Sequence, residues 1–340
     1  MSGNITFRHH DTAVLAVTAV DAPVVKTSEE FDAIIGDSYT RNGLRPGMLA
    51  KLAGISERRW WPEGTSFVDG AIEAGSKAIA EAGVDPARIG LLVNTSVSRE
   101  NLEPSVSVGI HHALGMPTSC LNFDITNACL GFVNGIQLAA TMIDSGQIDY
   151  ALVVDSEGSR KPQENTLSRL SGESATAEDI LREFATLTLG SGAAAMVLGR
   201  ASEHPEGHRV VGGVSRAATW HHELCVGDFD QMRTDTTGLL NGGMELAGDL
   251  WKDAADEFDW ADMDRYIVHQ VSQVHTQKTA EKLNLPIDRI PLTFPLLGNV
   301  GPAAVPITLA KEVDSLNSGD RVLLMGIGSG LNMTCMEIDW

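Results

Sequence analysis

The sequence predicts an α/β fold on three observations. Apolar runs of strand length, bounded by turns, alternate along the chain with segments whose apolar residues recur at helical spacing. Those runs are apolar throughout instead of alternating with polar residues, the pattern of strands covered on both faces. The 34 glycines suit many tight strand-to-helix turns and close backbone approaches. At 340 residues, 43% of them hydrophobic, the chain can bury a large core, as one big domain or two fused smaller ones.

Residues 14–20 read as the first strand. Thr27 and Ser28, followed by acids, form a helix N-terminus. Residues 67–82 space small and apolar side chains at helical period, and Gly83 is placed to cap that helix. A short strand covers 90–95 and a helix 105–114. Then come a strand at 121–125, a helix at 130–145 ended by Gly146, and a strand at 150–155. The stretch 156–177 is polar, rich in Ser and Glu, and weakly periodic; it reads as a loop or insertion leading into a short helix at 178–184. A strand at 193–199 closes the first half.

The turn His204-Pro205-Glu206-Gly207 is the expected boundary. It divides the chain into an N-terminal half, 1–204, with its insertion at about 156–188, and a C-terminal half, 205–340. The second half repeats the style of the first: strand 210–216, helix 237–258, strand 266–269, helix 273–283, helix 303–317, and strands 321–326 and 333–338. No residue-level repeat is visible, so the similarity of the halves rests on the pattern alone.

The formal net charge of −20 argues against nucleic acid as the main partner, because phosphate-backbone binding needs cation-rich surfaces. A single anionic small molecule is still compatible with it. The local pair Arg58 and Arg59 could hold the phosphates of a nucleotide-bearing ligand, or could simply be solvated surface arginines. The four cysteines form no Cys-x-x-Cys pair and no short disulfide framework, which suits reduced thiols in a cytosolic enzyme. The N-terminal stretch lacks the apolar core of a signal peptide, and no apolar run reaches the roughly 20 residues of a membrane span. A soluble, cytoplasmic protein is expected.

The segment Asp124-Ile-Thr-Asn-Ala-Cys129-Leu-Gly-Phe132 carries the sharpest chemical signal. It runs from a strand through a short turn into a long helix, with Cys129 at or just before the helix start. Partial positive charge and free N–H groups there should stabilise a thiolate and lower the thiol pKa. The small neighbours Ala128 and Gly131 would leave room for a substrate carbonyl. The alternative is a small buried residue, as many free cysteines are, and Cys120, Cys225 and Cys335 are read that way.

Two further residues could serve such a thiol. His269 closes an apolar strand, and Asn299 lies in a glycine-rich turn before a helix. A neutral imidazole N–H and an amide N–H both suit a thioester oxygen gaining negative charge. Each could equally be a structural residue, a satisfied core histidine or a turn asparagine. In Gly326-Ile-Gly-Ser-Gly-Leu-Asn332, the backbone N–H groups around Ser329 could converge on an anion.

Taken together, these segments resemble the thiolase superfamily in its β-ketoacyl synthase III-like branch, across nearly the whole chain. Gly54-Ile-Ser-Glu-Arg-Arg59 looks like that group's N-terminal motif. Asn127-Ala-Cys129-Leu-Gly-Phe132 resembles its nucleophile segment, and His269-Gln, Gly298-Asn299-Val-Gly and Gly326-Ile-Gly-Ser-Gly follow in the expected order. The resemblance implies two similar βαβαβ-type halves stacked as a five-layer αβαβα thiolase fold, and an obligate homodimer. It makes Cys129 the nucleophile, Ser329 and Cys129 backbone donors to its oxyanion, and His269 and Asn299 the stabilisers of the enolate. Coenzyme A thioesters are the implied substrates, with no separate cofactor and no metal.

Within the branch, 94–105, 148–154 and 268–272 are most similar to the enzymes that condense two long-chain acyl-CoAs without decarboxylation, for olefin or β-lactone biosynthesis. In those enzymes a glutamate supplied by the partner subunit removes the α-proton, and Glu103 matches it. Val271-Ser272, where decarboxylating synthases have Ala-Asn, agrees with that assignment. The implied product is a 2-alkyl-3-ketoacyl compound, handed to downstream olefin or β-lactone enzymes. The alternatives are a decarboxylative β-ketoacyl-ACP synthase III condensing acyl-CoA with malonyl-ACP, and a non-catalytic scaffold subunit.

Overall fold

The buried, all-apolar strands expected from the sequence assemble into one mixed sheet. The computed structural model describes residues 6–228 and 230–340; residues 1–5 of the N-terminal stretch discussed above lie outside them. In chain order the first half holds β1 (Thr6–Arg8), β2 (Thr12–Asp21), β3 (Val24–Thr27), α1 (Ser28–Arg41), β4 (Glu57–Trp60), α2 (Phe67–Ala82), β5 (Ile89–Asn94), α3 (Val106–Ala113), β6 (Leu121–Asp124), α4 (Gly131–Asp144), β7 (Tyr150–Glu157), α5 (Arg160–Ser171), α6 (Ala177–Leu187) and β8 (Gly192–Arg200). After the turn at 201–207 come β9 (His208–Ala217), β10 (Cys225–Gly227), β11 (Met232–Thr234), α7 (Thr236–Ala254), β12 (Arg265–Val268), α8 (Gln273–Leu283), α9 (Phe294–Leu297), α10 (Ala304–Glu312), β13 (Arg321–Gly328) and β14 (Asn332–Asp339).

The strand order is β12-β13-β14-β9-β2-β8-β7-β5-β6, with β1 beside β9. Pairs β5–β6, β5–β7 and β12–β13 are parallel, whereas β2–β8, β7–β8, β13–β14 and β14–β9 are antiparallel. The two halves meet at a narrow seam, where β2 pairs with β9 only through Ala13 with Arg209 and Val14 with His208. About that seam the sheet folds over α4 and α10, which pack on strands of both halves. Helices α2 and α3 cover the outer face of the first half, and α7 and α8 that of the second. The result is five layers.

The middle layer's core draws Leu91, Val93, Phe132 and Ile136 from the first half and Ile267, Leu324 and Met336 from the second. Burying strands on both faces requires this continuity, since a bare apolar face would be left otherwise.

Helix α2 spans the expected residues and ends on Gly83 in the left-handed region at φ 63°. The N-terminus expected at Thr27 is a capping box, with Glu30 answering Thr27. The reading of 156–177 as a loop is overturned. Strand β7 runs on to Glu157, and α5 follows. Its buried face hid it from a hydropathy pattern, because Gln163 and Thr166 occupy that face beside Leu167 and Leu170. Both polar groups are satisfied: Gln163 Oε1 accepts from Trp60 Nε1, its Nε2 donates to the Thr186 and Leu189 carbonyls, and Thr166 donates to Glu183.

Strand β1, the antiparallel pair β3–β4 and the hairpin β10–β11 were not anticipated. Helix α7 stops at Ala254, short of 258. The helix at 303–317 gives way to a 3₁₀ turn at Val313–Ser315.

Asp124, at the end of β6, ties two of these elements together. Its carboxylate caps α3 by accepting from the backbone N–H of Val106 at 3.0 Å and Ser107 at 2.9 Å. It also lies 3.4 Å from Arg99 Nη2. Replacing Asp124 with Ala is expected to cost about 2 kcal/mol, measured by urea unfolding; an unchanged midpoint would show the cap to be idle.

Candidate active site

The turn that carries Cys129 is shaped by close backbone contacts from both halves. Leu130 N–H donates to Asn127 O at 3.0 Å and Gly131 N–H to Ala128 O at 3.2 Å. Ala128 sits at φ 45°, a left-handed conformation that costs a non-glycine residue on the order of 1 kcal/mol. Asn127 Nδ2 donates to Asn134 Oδ1, and Asn332 Nδ2, from the second half, donates to Asn127 Oδ1. A Cβ on Gly328 would stand 2.7 Å from Asn127 O, and one on Gly131 would stand 2.8 Å from Thr95 O. The expectation that Ala128 and Gly131 make room for substrate is therefore corrected. Gly131 admits the Thr95 carbonyl, and Ala128 packs on Gly328.

Cys129 is half-buried on this turn. Its thiol pKa is pushed up, not down as expected from the helix start. Burial is the largest cause, with Glu157, Cys225 and Asp155 adding to it and the residue's own N–H opposing. Helix α4 begins two residues later, at Gly131, and its field does not outweigh burial above two carboxylates. The free thiol is held protonated. Cys225, read as an inert cysteine, proves close enough to act on Cys129 electrostatically.

His269 follows β12 directly, is buried, and donates its backbone N–H to Met325 O at 2.9 Å. With His275 it lines a cavity of about 20 Å³ shared with Met244, Thr279 and Met325. Burial, then the neighbouring His275, push its pKa down to about 3, while burial brings His275 to about 4. His269 is thus a neutral N–H donor throughout the ordinary pH range. Sequence reasoning missed His275, six residues on within a helix.

Asn299 is held by its backbone between Thr188 O and Gly190 N–H. Its side-chain Oδ1 accepts from Gly301 N–H at 3.0 Å, which orients Nδ2 as the free donor. Gly190 permits this packing, since a Cβ there would lie 1.8 Å from Leu297 O. Ser329 follows β13, half-buried, immediately after the Gly328 contact with the nucleophile turn. A cleft of about 440 Å³ borders the other flank of that turn, lined by Asn127, Asn134, Arg216, Asn332 and Thr334 among others.

Two buried acids lie under the thiol. Asp155 and Glu157 end β7, and Asp155 Oδ2 accepts from Thr95 Oγ1 at 2.5 Å. Burial is the main cause raising both carboxyl pKa values, Asp155 well above its ordinary value and Glu157 to about 7. The signal available in the sequence was Val-Val-Asp155-Ser-Glu157, charged groups at the end of an otherwise apolar strand.

Glu103 stands apart. It is exposed on the loop before α3 and makes no hydrogen bond among the described residues. A single chain does not bring it to Cys129's electrostatic surroundings.

The assignment of Arg58 to phosphate binding is corrected. Its side chain is fully buried, donating to Ser28 Oγ at 3.0 Å and to Lys26 O at 3.3 Å, with the guanidinium over the Phe31 ring. Burial lowers its pKa to about 10. Arg59 is half-buried and engaged by Glu57 at 2.9 Å. A pair of adjacent arginines in a strand points to opposite faces, so one of them goes inside. Among the described residues no group of three or more His, Cys, Asp or Glu could hold a metal ion, and no helix is long and apolar enough to cross a membrane.

The model of the 3-oxoacyl-[acyl-carrier-protein] synthase III family matches residues 123–215, and that of its C-terminal part matches 254–340. The acyl-CoA:acyl-CoA alkyltransferase of Xanthomonas campestris is 41% identical over 97% of this chain and 99% of its own length. The enzyme of that name from Shewanella oneidensis is 37% identical over 94% and 96%. The beta-ketoacyl-[acyl-carrier-protein] synthase III of Sphingopyxis alaskensis is 29% identical over 79% and 82%. A solved structure of X. campestris OleA, with a cysteine changed to serine and with bound lauric acid and lauroyl-CoA, matches at a TM-score of 0.95 and 40% identity. It covers 98% of this chain and 100% of that one. Others carry changes at a glutamate or a histidine. That glutamate and cysteine are as far apart in sequence as Glu103 and Cys129, and the cysteine and histidine are two residues farther apart than Cys129 and His269.

Raised carboxyl pKa values carry a sign. Between about pH 4.5 and 7 the folded chain keeps a proton on Glu157 that the unfolded chain has released, so this group's contribution to stability falls as pH rises. Glu157→Gln lacks that titration. In urea unfolding at about pH 5 and about pH 7.5, the wild type's advantage over the variant should shrink at the higher pH. An advantage that grew with pH would contradict the raised value.

Proposed function

Because this chain belongs to the 3-oxoacyl-[acyl-carrier-protein] synthase III family, among its acyl-CoA:acyl-CoA alkyltransferases, we propose that it joins two acyl-CoA molecules head to head, by a Claisen condensation without loss of carbon dioxide. It is an acyltransferase. The observation that carries the head-to-head reading is Glu103. Its spacing from Cys129 repeats that of the glutamate and cysteine in the alkyltransferase structures, and a decarboxylating synthase needs no such base.

In the first half-reaction Cys129 Sγ attacks the thioester carbonyl of one acyl-CoA. The thiol is held protonated, so its proton leaves as attack proceeds and ends on the departing coenzyme A sulfur. Backbone N–H groups of Cys129 and Ser329 receive the oxyanion. A second acyl-CoA then binds. Glu103 takes its α-proton, while neutral His269 and the free Nδ2 of Asn299 donate to the developing enolate oxygen. The α-carbon attacks the acyl-cysteine carbonyl, the C–S bond breaks, and the sulfur of Cys129 is freed. The product is a 2-alkyl-3-ketoacyl-CoA. Long-chain acyl groups are the proposed substrates, and olefin- or β-lactone-forming enzymes the proposed consumers.

The reading includes a homodimer in which Glu103 serves the other subunit. Glu103 is exposed in the single chain, and strand β6 ends the sheet with one edge unpaired. Around them Leu102, Leu121 and Val108 are 85%, 52% and 43% exposed, an apolar patch that suits a covered surface.

Supplied with one long-chain acyl-CoA alone, purified enzyme should release coenzyme A and form a coupled product with no carbon dioxide. A requirement for malonyl thioester would favour the decarboxylating alternative. Glu103→Gln should still form the acyl-cysteine, seen by intact mass, while condensation falls on the order of 100-fold or more. Sedimentation should give a dimer, shifted toward monomer by Leu102→Asp; a wild-type monomer with full activity would sink the dimer reading.

A further inference from the structure

Glu157 takes no part in the steps above, yet it ties the loop that carries Glu103 to the core. Its Oε1 accepts from Val97 N–H at 2.6 Å, and its Oε2 accepts from Ser98 N–H at 3.1 Å and from Ser98 Oγ at 2.5 Å. That hydroxyl in turn accepts from Gly158 N–H at 2.9 Å, closing the network onto the end of β7. Arg99 clamps the next turn, donating to the carbonyls of Ser96 and Ser98 and to Thr126 Oγ1. On the far side the loop is fixed by Asp124 at the start of α3. Residues 100–104 stand exposed between these anchors. On its other flank Glu157 packs against the turn that holds Asn299, its Cγ 3.3 Å from the position of a Cβ on Gly301.

A carboxyl group that is 7% exposed and, among the described residues, in no salt bridge is expensive to keep inside a protein. Here the three hydrogen bonds it accepts at its side chain all come from backbone and hydroxyl groups of one loop. We propose that Glu157 is a positioning residue for the reaction at the other subunit, fixing residues 97–103 so that Glu103 reaches the α-carbon of the acyl-CoA bound at the partner's Cys129. This rests on the reading that Glu103 acts across the dimer. Catalysis of this kind is steep in distance, and a misplacement of about 1 Å can cost on the order of 100-fold.

Mixed dimers, assembled from two differently tagged chains, separate this role from a local one. In the first, one chain carries Cys129→Ala with Glu157→Gln and the other is wild type, so the working cysteine depends on the altered loop. In the second, Cys129→Ala and Glu157→Gln lie on different chains, so the working cysteine meets an intact loop. Relative to a dimer carrying Cys129→Ala alone, the first should lose condensation at least about 10-fold and the second less than about 2-fold. Both should retain acyl-cysteine formation.

Equal loss in both dimers, or loss only in the second, would mean that Glu157 acts on its own site and would overturn the proposal. The same pair built with Glu103→Gln tests the underlying reading independently. If Glu103→Gln harms only the second dimer, the base acts within its own chain, and that reading fails whatever Glu157 does. Ser98→Ala, which deletes only the hydroxyl contact, should repeat the Glu157 pattern at smaller amplitude should Glu157→Gln not assemble.

Discussion

Everything in the site depends on one backbone contact that only a missing side chain allows. The end of β13 presses Gly328 onto the carbonyl of Asn127, so the turn bearing Cys129 is held by strands of both halves. Thr95 presses from the opposite side, against Gly131. Between two such contacts the turn has little freedom, and the left-handed Ala128 is held in place by its surroundings. The same contact sets Ser329 beside the turn that carries Cys129. It also places His269, whose strand β12 pairs with β13, at the same end of the sheet.

The electrostatics are not those of a permanently activated thiol. Burial and two acids beneath it keep Cys129 protonated in the free chain, which spares it from oxidation and adventitious alkylation when no thioester is present. The donors proposed to meet the reacting oxygens are neutral: an imidazole that burial prevents from charging, an amide oriented by Gly301, and backbone N–H groups. A preorganised set of neutral dipoles costs less to desolvate than charged donors would when a large apolar substrate displaces water.

Much of this was legible in the sequence, and the failures share a cause. Helix α2 and the strand–turn–helix at Cys129 could be read because their signals are local: a period, a cap, a turn. Helix α5 could not, because its inward face is built from Gln163 and Thr166, whose partners lie on Trp60, α6 and the chain that follows it. Arg58 looked like a surface charge because charge is local, whereas the Phe31 ring and Ser28 that bury it come from another element. The partners of Glu157 were unreadable for the same reason, since the N–H groups it receives lie 59 and 60 residues away in sequence. The family resemblance supplied the roles proposed for His269, Asn299 and Glu103, which residue patterns alone left undecided.

The narrow seam between β2 and β9 also bears on how the chain is made. Helix α4 has strands of the first half on one flank and strands of the second on the other, so neither half buries it alone. A first half without the second leaves that flank of α4 uncovered, and apolar surface exposed in this way is prone to aggregate while the chain is incomplete.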